Sequence, residues 1–440
     1  MWWLVFQALP VIAWGVAVLY AVRPLKLTRL ASLLLSLVLA VAFGKFAVFA
    51  LVGGNAFNPD LPQGVVWFCG WAYASAMMLT GLSTVAALAD WALRIARRPM
   101  SAHVKRIRTA ALAVFAAAIS LWGMYEGIRV PSVKRVEIAY GDLPPAFDGY
   151  RIVHLSDLHC STAARRWRIE RIVERVNALD ADLIAITGDF VDGTPGERGD
   201  DLEPLADLKA KDGVWGCTGN HEAYWNWYGW ADLFRRWDVR ILSESTFYPK
   251  SVIRRGNASI ALGGLDDQAF RRGDAWDGMP LPMASLAFSP VNNVPPDAFR
   301  ILLYHRPLTA AIGAEAAGVR LQLSGHTHGG AMPGVSWLVA RFNEGHVRGL
   351  YEFAPGRFLH VSPGTGQWAG FPLRLFNPAE ITEIVLRSGQ RAEELRETLL
   401  CLNAQGAGEQ GNCVLLGFGV VARSGIEPLT HGFSVRCSTN

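Results

Sequence analysis

Seven residues, Asp157, His159, Asp189, Asn220, His305, His326 and His328, are of types that bind metal ions, and six of them sit in short clusters. The clusters are Asp157-Leu158-His159, Gly188-Asp189, Gly219-Asn220-His221-Glu222 and Gly325-His326-Thr327-His328. Each follows a short apolar run, which puts the ligands at strand ends. Asp157 and His159 are two apart, and extended backbone would send both to one side, toward one ion. His326 and His328 repeat that spacing. Asp189 has two carboxylate oxygens and can bridge two cations, and Asn220 adds a neutral carbonyl oxygen. Glycine beside the ligands allows sharp turns and close backbone approach. Mixed nitrogen and carboxylate donors suit two divalent transition-metal ions such as Mn, Fe or Zn better than calcium. Two such ions about 3.5–4 Å apart can hold both the attacking and the leaving oxygen of a phosphoryl transfer, with a bridging hydroxide as nucleophile.

The elements that must position these residues alternate. Arg151–Ser156 reads as a strand and Arg166–Leu179 as an amphipathic helix with Trp167, Ile169, Ile172, Val173 and Val176 at helical spacing. Asp182–Thr187 is a second strand, Leu202–Lys209 a short helix and Gly213–Thr218 a third strand. Further strands are expected at Ser259–Gly263, Phe299–Tyr304, Val319–Ser324, Arg357–Ser362 and Ile381–Leu386, with a long surface loop from Asp267 to Phe299. The fold class is α/β (α+β): two facing sheets, a β-sandwich, with helices outside.

Before this domain lies a different composition. The 440-residue chain is 51% hydrophobic, and the apolar share concentrates in residues 1–130. Spans of about 20 apolar residues cross a bilayer, and Trp2–Tyr20, Ala31–Gly53, Val65–Leu93 and Thr109–Met124 qualify. The first span lacks a basic leader and has three others after it, so it reads as an anchor rather than a signal peptide. Arg23, Lys26 and Arg29 in the first loop, and Arg94, Arg97, Arg98, Lys105, Arg106 and Arg108 in the third, assign those loops to the cytoplasm. The second loop, Asn55–Gln63, has no basic residue. A multi-pass protein of the plasma (inner) membrane with an extracytoplasmic catalytic domain follows. Lys45 and Asp90, within spans, read as snorkelling or locally paired charges.

The clusters named above, with His305, resemble the calcineurin-like metallophosphoesterase family over about residues 148–388. The resemblance implies that fold, and it implies a ligand division. One metal takes Asp157, His159, Asp189 and His328, and the other takes Asp189, Asn220, His305 and His326. His221 resembles the histidine that contacts phosphate and protonates the leaving oxygen. Ser156–His159, Gly264-Leu265-Asp266-Asp267, Gly325–Gly330, Pro363–Gly366 and Pro372–Pro378 are similar to the bacterial YaeI/YkuE-type phosphodiesterases, some of which carry membrane spans. Ala331 stands where that group often has Gln.

Other residues keep two readings. Tyr224, Trp225, Trp227, Tyr228 and Trp230 either pack a helix onto the sheet or meet a lipid or nucleoside. Asp266 and Asp267 are a polar turn or a support for the site. Arg374 is a substrate contact or a surface ion pair, and Cys160 is a small packing residue. The six cysteines form no zinc-ribbon pattern, and a net charge of +4 without a basic stripe argues against a nucleic-acid partner.

The expected organisation is a transmembrane region at 1–130, a linker at 131–147, the metallophosphoesterase domain at 148–388 and a tail at 389–440. The tail is expected to be disordered or a read-through artefact, because its end back-translates to the complement of tRNA arms. The expected function is hydrolysis of phosphodiester, or phosphomonoester, bonds of a lipid or envelope component. One rival is a pyrophosphohydrolase of the UDP-2,3-diacylglucosamine type, acting at the cytoplasmic face. Another is a non-catalytic membrane binding or transport module.

Overall fold

The computed structural model describes residues 2–243, 251–271, 282–288, 294–332 and 334–389. The tail, including the helical pattern at Arg391–Leu400, and part of the expected Asp267–Phe299 loop lie outside these residues.

The membrane region contains α1 (Trp2–Ala17), α2 (Arg29–Phe43), α3 (Lys45–Gly53), α4 (Gln63–Ile95) and α5 (Ala102–Ile128). Helix α1 continues through a π turn, Val18–Val22, and a 3-10 turn, Arg23–Leu25. Three segments are long and apolar enough to cross a bilayer, and a fourth crossing exists if α2 and α3 count as one. These two differ from the expected continuous span, because they meet at 71°. The break falls at Gly44, a residue that weakens helix continuity. Asp90 is paired, as its position suggested, with Lys105 at 3.2 Å and Arg108 at 2.7 Å.

After α5 the chain enters a strand at once. Strand β1 (Ser132–Tyr140) occupies most of the segment expected to be a linker, and it pairs in parallel with a strand near residue 384. Its charged residues Lys134, Arg135 and Glu137 disguised it. An edge strand with a solvated face keeps such residues without losing its ladder.

The first sheet continues with β2 (Arg151–Leu155), β3 (Leu183–Thr187), β4 (Val214–Cys217) and β5 (Val239–Ile241), crossed by α6 (Arg166–Asn177), α7 (Pro195–Leu202) and α8 (Trp227–Arg236). Helix α7 starts earlier than expected. Thr194 and Glu197 form a capping box with Pro195 behind the cap, and the expected 202–209 helix shrinks to the 3-10 turn Glu203–Asp207. The second sheet contains β6 (Val252–Arg255), β7 (Ala258–Gly264), β8 (Phe299–Leu303), β9 (Val319–Ser324), β10 (Gly349–Ala354) and β11 (Arg357–Val361), with short helices α9 (Ala284–Ala287) and α10 (Ser336–Arg341). Strand β12 (Glu380–Ser388) returns to the first sheet. The strand orders are β1-β12-β2-β3-β4-β5 and β10-β11-β9-β8-β7-β6.

The two sheets face each other across a core that includes Ile152, Leu183 and Trp215 from the first and Ile260, Ile301 and Leu321 from the second. The alternate residues Val153, Ile184 and Ile186 face outward and bury against Ile169, Ile172 and Val176 of α6. Burial on both faces is why these strands read as continuous apolar runs. Strands β2, β3 and β4 run parallel, as do β7, β8 and β9. Their carboxyl ends therefore gather on one side of the sandwich.

The membrane helices are fastened to this domain. Lys45 Nζ donates to the carbonyls of Ala369 and Gly370, each at 3.0 Å. Asn58, in the loop between α3 and α4, accepts from Thr162 N at 3.2 Å and Arg198 Nε at 3.1 Å. Arg168, wholly buried on α6, donates to carbonyls of Gly127 and Ile128 at the end of α5, and to that of Thr365.

Candidate metal centre

The seven expected ligands come from five strand ends. Asp157 and His159 follow β2, Asp189 follows β3, and Asn220 follows β4. His305 follows β8, and His326 and His328 follow β9. The backbone there differs from the extended form expected from their spacing. Asp157, His159, Asp189, His326 and His328 all have positive φ, between 44° and 70°. Non-glycine residues rarely hold this conformation, and it persists where surrounding contacts impose it. The contacts are visible: Asp157 N donates to Gly188 O and His159 N to Asp189 O, each at 3.0 Å. Close packing of turns replaces strand alternation in aiming the side chains.

Glycine is required at two of these turns. A side chain on Gly188 would meet Gly219 backbone at 2.6 Å, and one on Gly366 would strike the Leu158 carbonyl.

Three ligand-type groups converge: Asp157, His159 and His328; Asp189, His305 and His326; and His159, Asp189 and His221. In each, the donor atoms lie within 4.8 Å of one another. His159 Nε2 is 3.1 Å from His328 Nε2, and His328 Nε2 is 3.5 Å from Asp157 Oδ1. His305 Nε2 is 3.2 Å from both Asp189 Oδ2 and His326 Nδ1. Asp189 Oδ2 also stands 3.7 Å from His159 Nε2, between the two halves. Asn220 Oδ1 is buried with no hydrogen-bond partner among the described residues. An unpaired buried carbonyl oxygen is costly, and a cation would satisfy it. Crowded ring nitrogens beside carboxylates also fit cation binding.

Asp189, Asn220, His221, His326 and His328 form the floor of a cavity of about 530 Å³. Its upper wall is aromatic: Phe57, Tyr224, Trp225 and Trp368. Phe57 belongs to the loop between α3 and α4, and it stacks on Trp368 with ring centroids 6.0 Å apart. The membrane region thus supplies part of the wall.

Residues 150–330 match the model of the calcineurin-like phosphoesterase family. The chain is 31% identical over 363 residues to a transmembrane protein with metallophosphoesterase domain from Bos taurus, covering 80% of this chain and 79% of that one. It belongs to the calcineurin-like metallophosphoesterases. A Danio rerio protein of the same description is 32% identical over 280 residues, covering 62% of this chain and 61% of the relative. The uncharacterized metallophosphoesterase YkuE of Bacillus subtilis is 28% identical, covering 63% of this chain and 94% of that one. With its ligand clusters, this metallophosphoesterase is a metal-dependent hydrolase.

Several residues of this metallophosphoesterase support the ligands, and two of them, Asp192 and Arg306, were not visible in the motifs. Asp192 is buried between two histidines, accepting from His159 Nδ1 at 3.2 Å and bonding His221 Nδ1. Its protonation falls far below the usual carboxylate range: burial opposes this, but His159 and His221 outweigh burial. Burial likewise works against a charged His221, yet Asp189 and Asp192 raise it to about 10. The only sequence signal for Asp192 is its place three residues beyond Asp189. We expect Asp192→Asn to lower kcat/KM roughly 10- to 100-fold, with a steady-state assay as the check. An unchanged value would deny it any orienting role.

The Thr187 carbonyl accepts from His305 Nδ1 at 2.7 Å, which turns Nε2 inward toward Asp189. Arg306 Nη1 lies 3.0 Å from His326 Nε2, and Asp267 holds that guanidinium at 2.8 Å. Asp267 is therefore a support rather than a polar turn. Arg374 is wholly buried, which rules out a surface ion pair. Its Nη2 donates to Gly366 O at 2.7 Å and reaches His328 Nδ1 at 3.3 Å. Burial first, then Arg306 for one and His159 and Arg374 for the other, drive His326 and His328 well below the usual imidazole range. Neutral imidazole is the form that ligates metal.

Glu222 accepts from the amides of Asp189, Phe190 and Gly219 at 2.7–2.9 Å, clamping two ligand loops together. The aromatic cluster divides. Trp230 is buried against Phe234, while Tyr224 and Trp225 face the cavity. Cys160 is buried, and burial pushes its thiol far up, as suits a packing residue.

Proposed function

We propose that this metallophosphoesterase hydrolyses phosphodiester bonds of a lipid or envelope component outside the cytoplasm. The observation that carries this is the composition of the cavity: a floor of ligand side chains under an aromatic wall that includes Phe57 from a membrane loop. Asp157, His159, Asp189 and His328 would hold one divalent transition-metal ion, and Asp189, Asn220, His305 and His326 would hold a second. Such ions supply charge neutralisation at phosphorus and a lowered pKa for water.

The chain's own groups then have assignable tasks. Asp189 joins the two halves through one carboxylate. His221, bonded through Nδ1 to Asp192, faces the cavity and can give a proton to the leaving oxygen. The aromatic wall offers a surface for an apolar substituent on the phosphate. Loop charges support an outward-facing domain, and residues 1–130 serve as its membrane-embedded part.

The test uses the full chain in detergent micelles with manganese and a bis-aryl phosphate ester. Turnover that a chelator abolishes and manganese restores is expected. Bound metal without turnover would favour an inert binding module. A reporter active only outside the cytoplasm, fused after Gly389, is expected to be active. Its silence would favour a cytoplasmic pyrophosphohydrolase.

A further inference from the structure

The loop that carries His326 and His328 runs directly into an apolar surface. Helix α10 begins at Ser336, and a side chain added to Gly330 would meet Ser336 Cα at 2.7 Å, so loop and helix are in contact. Trp337 is 68% exposed, Leu338 50% and Phe342 74%, and nearby Phe376 is 64% exposed. A solvated domain seldom leaves four large apolar side chains of one region bare.

The position of this region relative to the spans identifies what covers it. The Phe376 ring packs edge-on against Trp122 of α5, centroids 5.4 Å apart. Met332, just before α10, packs against a buried cluster of Ala74 of α4 with Leu373 and Leu375, and Met78 of α4 and Ile119 of α5 pack against the same cluster. At 1.5 Å per residue, Ile119 lies about 13 Å back from the end of α5 at Ile128. Residues of the catalytic domain therefore touch the spans well below their ends. Leu121 and Tyr125, on the same stretch of α5 as Trp122, are also bare.

We propose that α10, with Phe342 and Phe376, is seated in the leaflet from which the spans emerge, covered by phospholipid acyl chains. Tryptophan on a short helix and phenylalanine at its carboxyl cap suit the boundary between headgroups and acyl chains. The metal-ligand loop is thereby held at the bilayer surface by a second contact, independent of the spans. This inference does not depend on the substrate.

The test places a photoactivatable benzophenone amino acid at Leu338 or Phe342 of the full chain. The protein is reconstituted in nanodiscs of phosphatidylethanolamine and phosphatidylglycerol, irradiated and analysed by peptide mass. Val114, a bare residue within α5, is the lipid-facing control, and Arg171 on α6 is the solvent control. Lipid adducts at 338 and 342 at least about tenfold above Arg171 are expected, near the yield at Val114. Solvent-like yields at both, with Val114 labelled, would overturn the proposal. Protein–protein adducts in place of lipid adducts would also overturn it, by identifying a second copy as the cover.

Discussion

Asp189→Ala is expected to lower kcat/KM by about 10³-fold or more, equivalent to about 4 kcal/mol of transition-state stabilisation. The Asp189 carboxylate faces histidines of both proposed ligand sets. Its Oδ2 is 3.2 Å from His305 Nε2 and 3.7 Å from His159 Nε2. Removing it takes a shared oxygen from both proposed ions at once, so metal content should fall together with activity. The fold should survive, because the neighbouring turns are held by backbone bonds such as His159 N to Asp189 O. Metal content by plasma mass spectrometry, activity and circular dichroism on one preparation decide the matter. A folded variant that keeps its metal and a tenth of the activity would refute the bridging role.

Arg168→Ala is expected to destabilise the protein by about 4 kcal/mol, seen as a thermal midpoint lower by roughly 5–10 °C in nanodiscs. The guanidinium serves Ile128 O at 2.9 Å and Gly127 O and Thr365 O at 3.1 Å. The first two are carbonyls that the end of α5 leaves without intrahelical partners. The third belongs to a turn whose amide Thr365 N bonds Ser156 O, beside Asp157. One buried cation therefore ties the last span to the ligand loop. Arg168→Lys should recover only part of the loss, since an ammonium lacks the planar fork that spans several carbonyls. A midpoint within about 1 °C of the parent would show that this joint contributes little.

Strands β2, β3 and β4 were legible because each is buried on both faces, which makes an uninterrupted apolar run. Strand β1 was not. Its partner β12 lies more than 240 residues away, and pairing of such separation leaves no local trace. Helix α7 was misplaced because its start depends on a cap, Thr194 with Glu197, rather than on apolar periodicity. The spans were plain from composition, but the bend at Gly44 was not. The ligand types were legible from chemistry alone. Two of their supports, Asp192 and Arg306, were not, because each acts through a histidine distant in sequence, and Arg374 was legible only as a substrate contact or a surface ion pair.

The sequence by itself determined which side chains can bind metal, that five strand ends carry them, and that apolar helices precede them. Local composition and short spacing contain that information. Only the tertiary structure decided how the ligands meet, since strained turns with positive φ replace the extended backbone that the spacing suggested. It also decided that Phe57 walls the cavity and that Arg168 and Lys45 bind spans to domain. Those contacts join segments about 40 to more than 300 residues apart, and only packing brings such segments together.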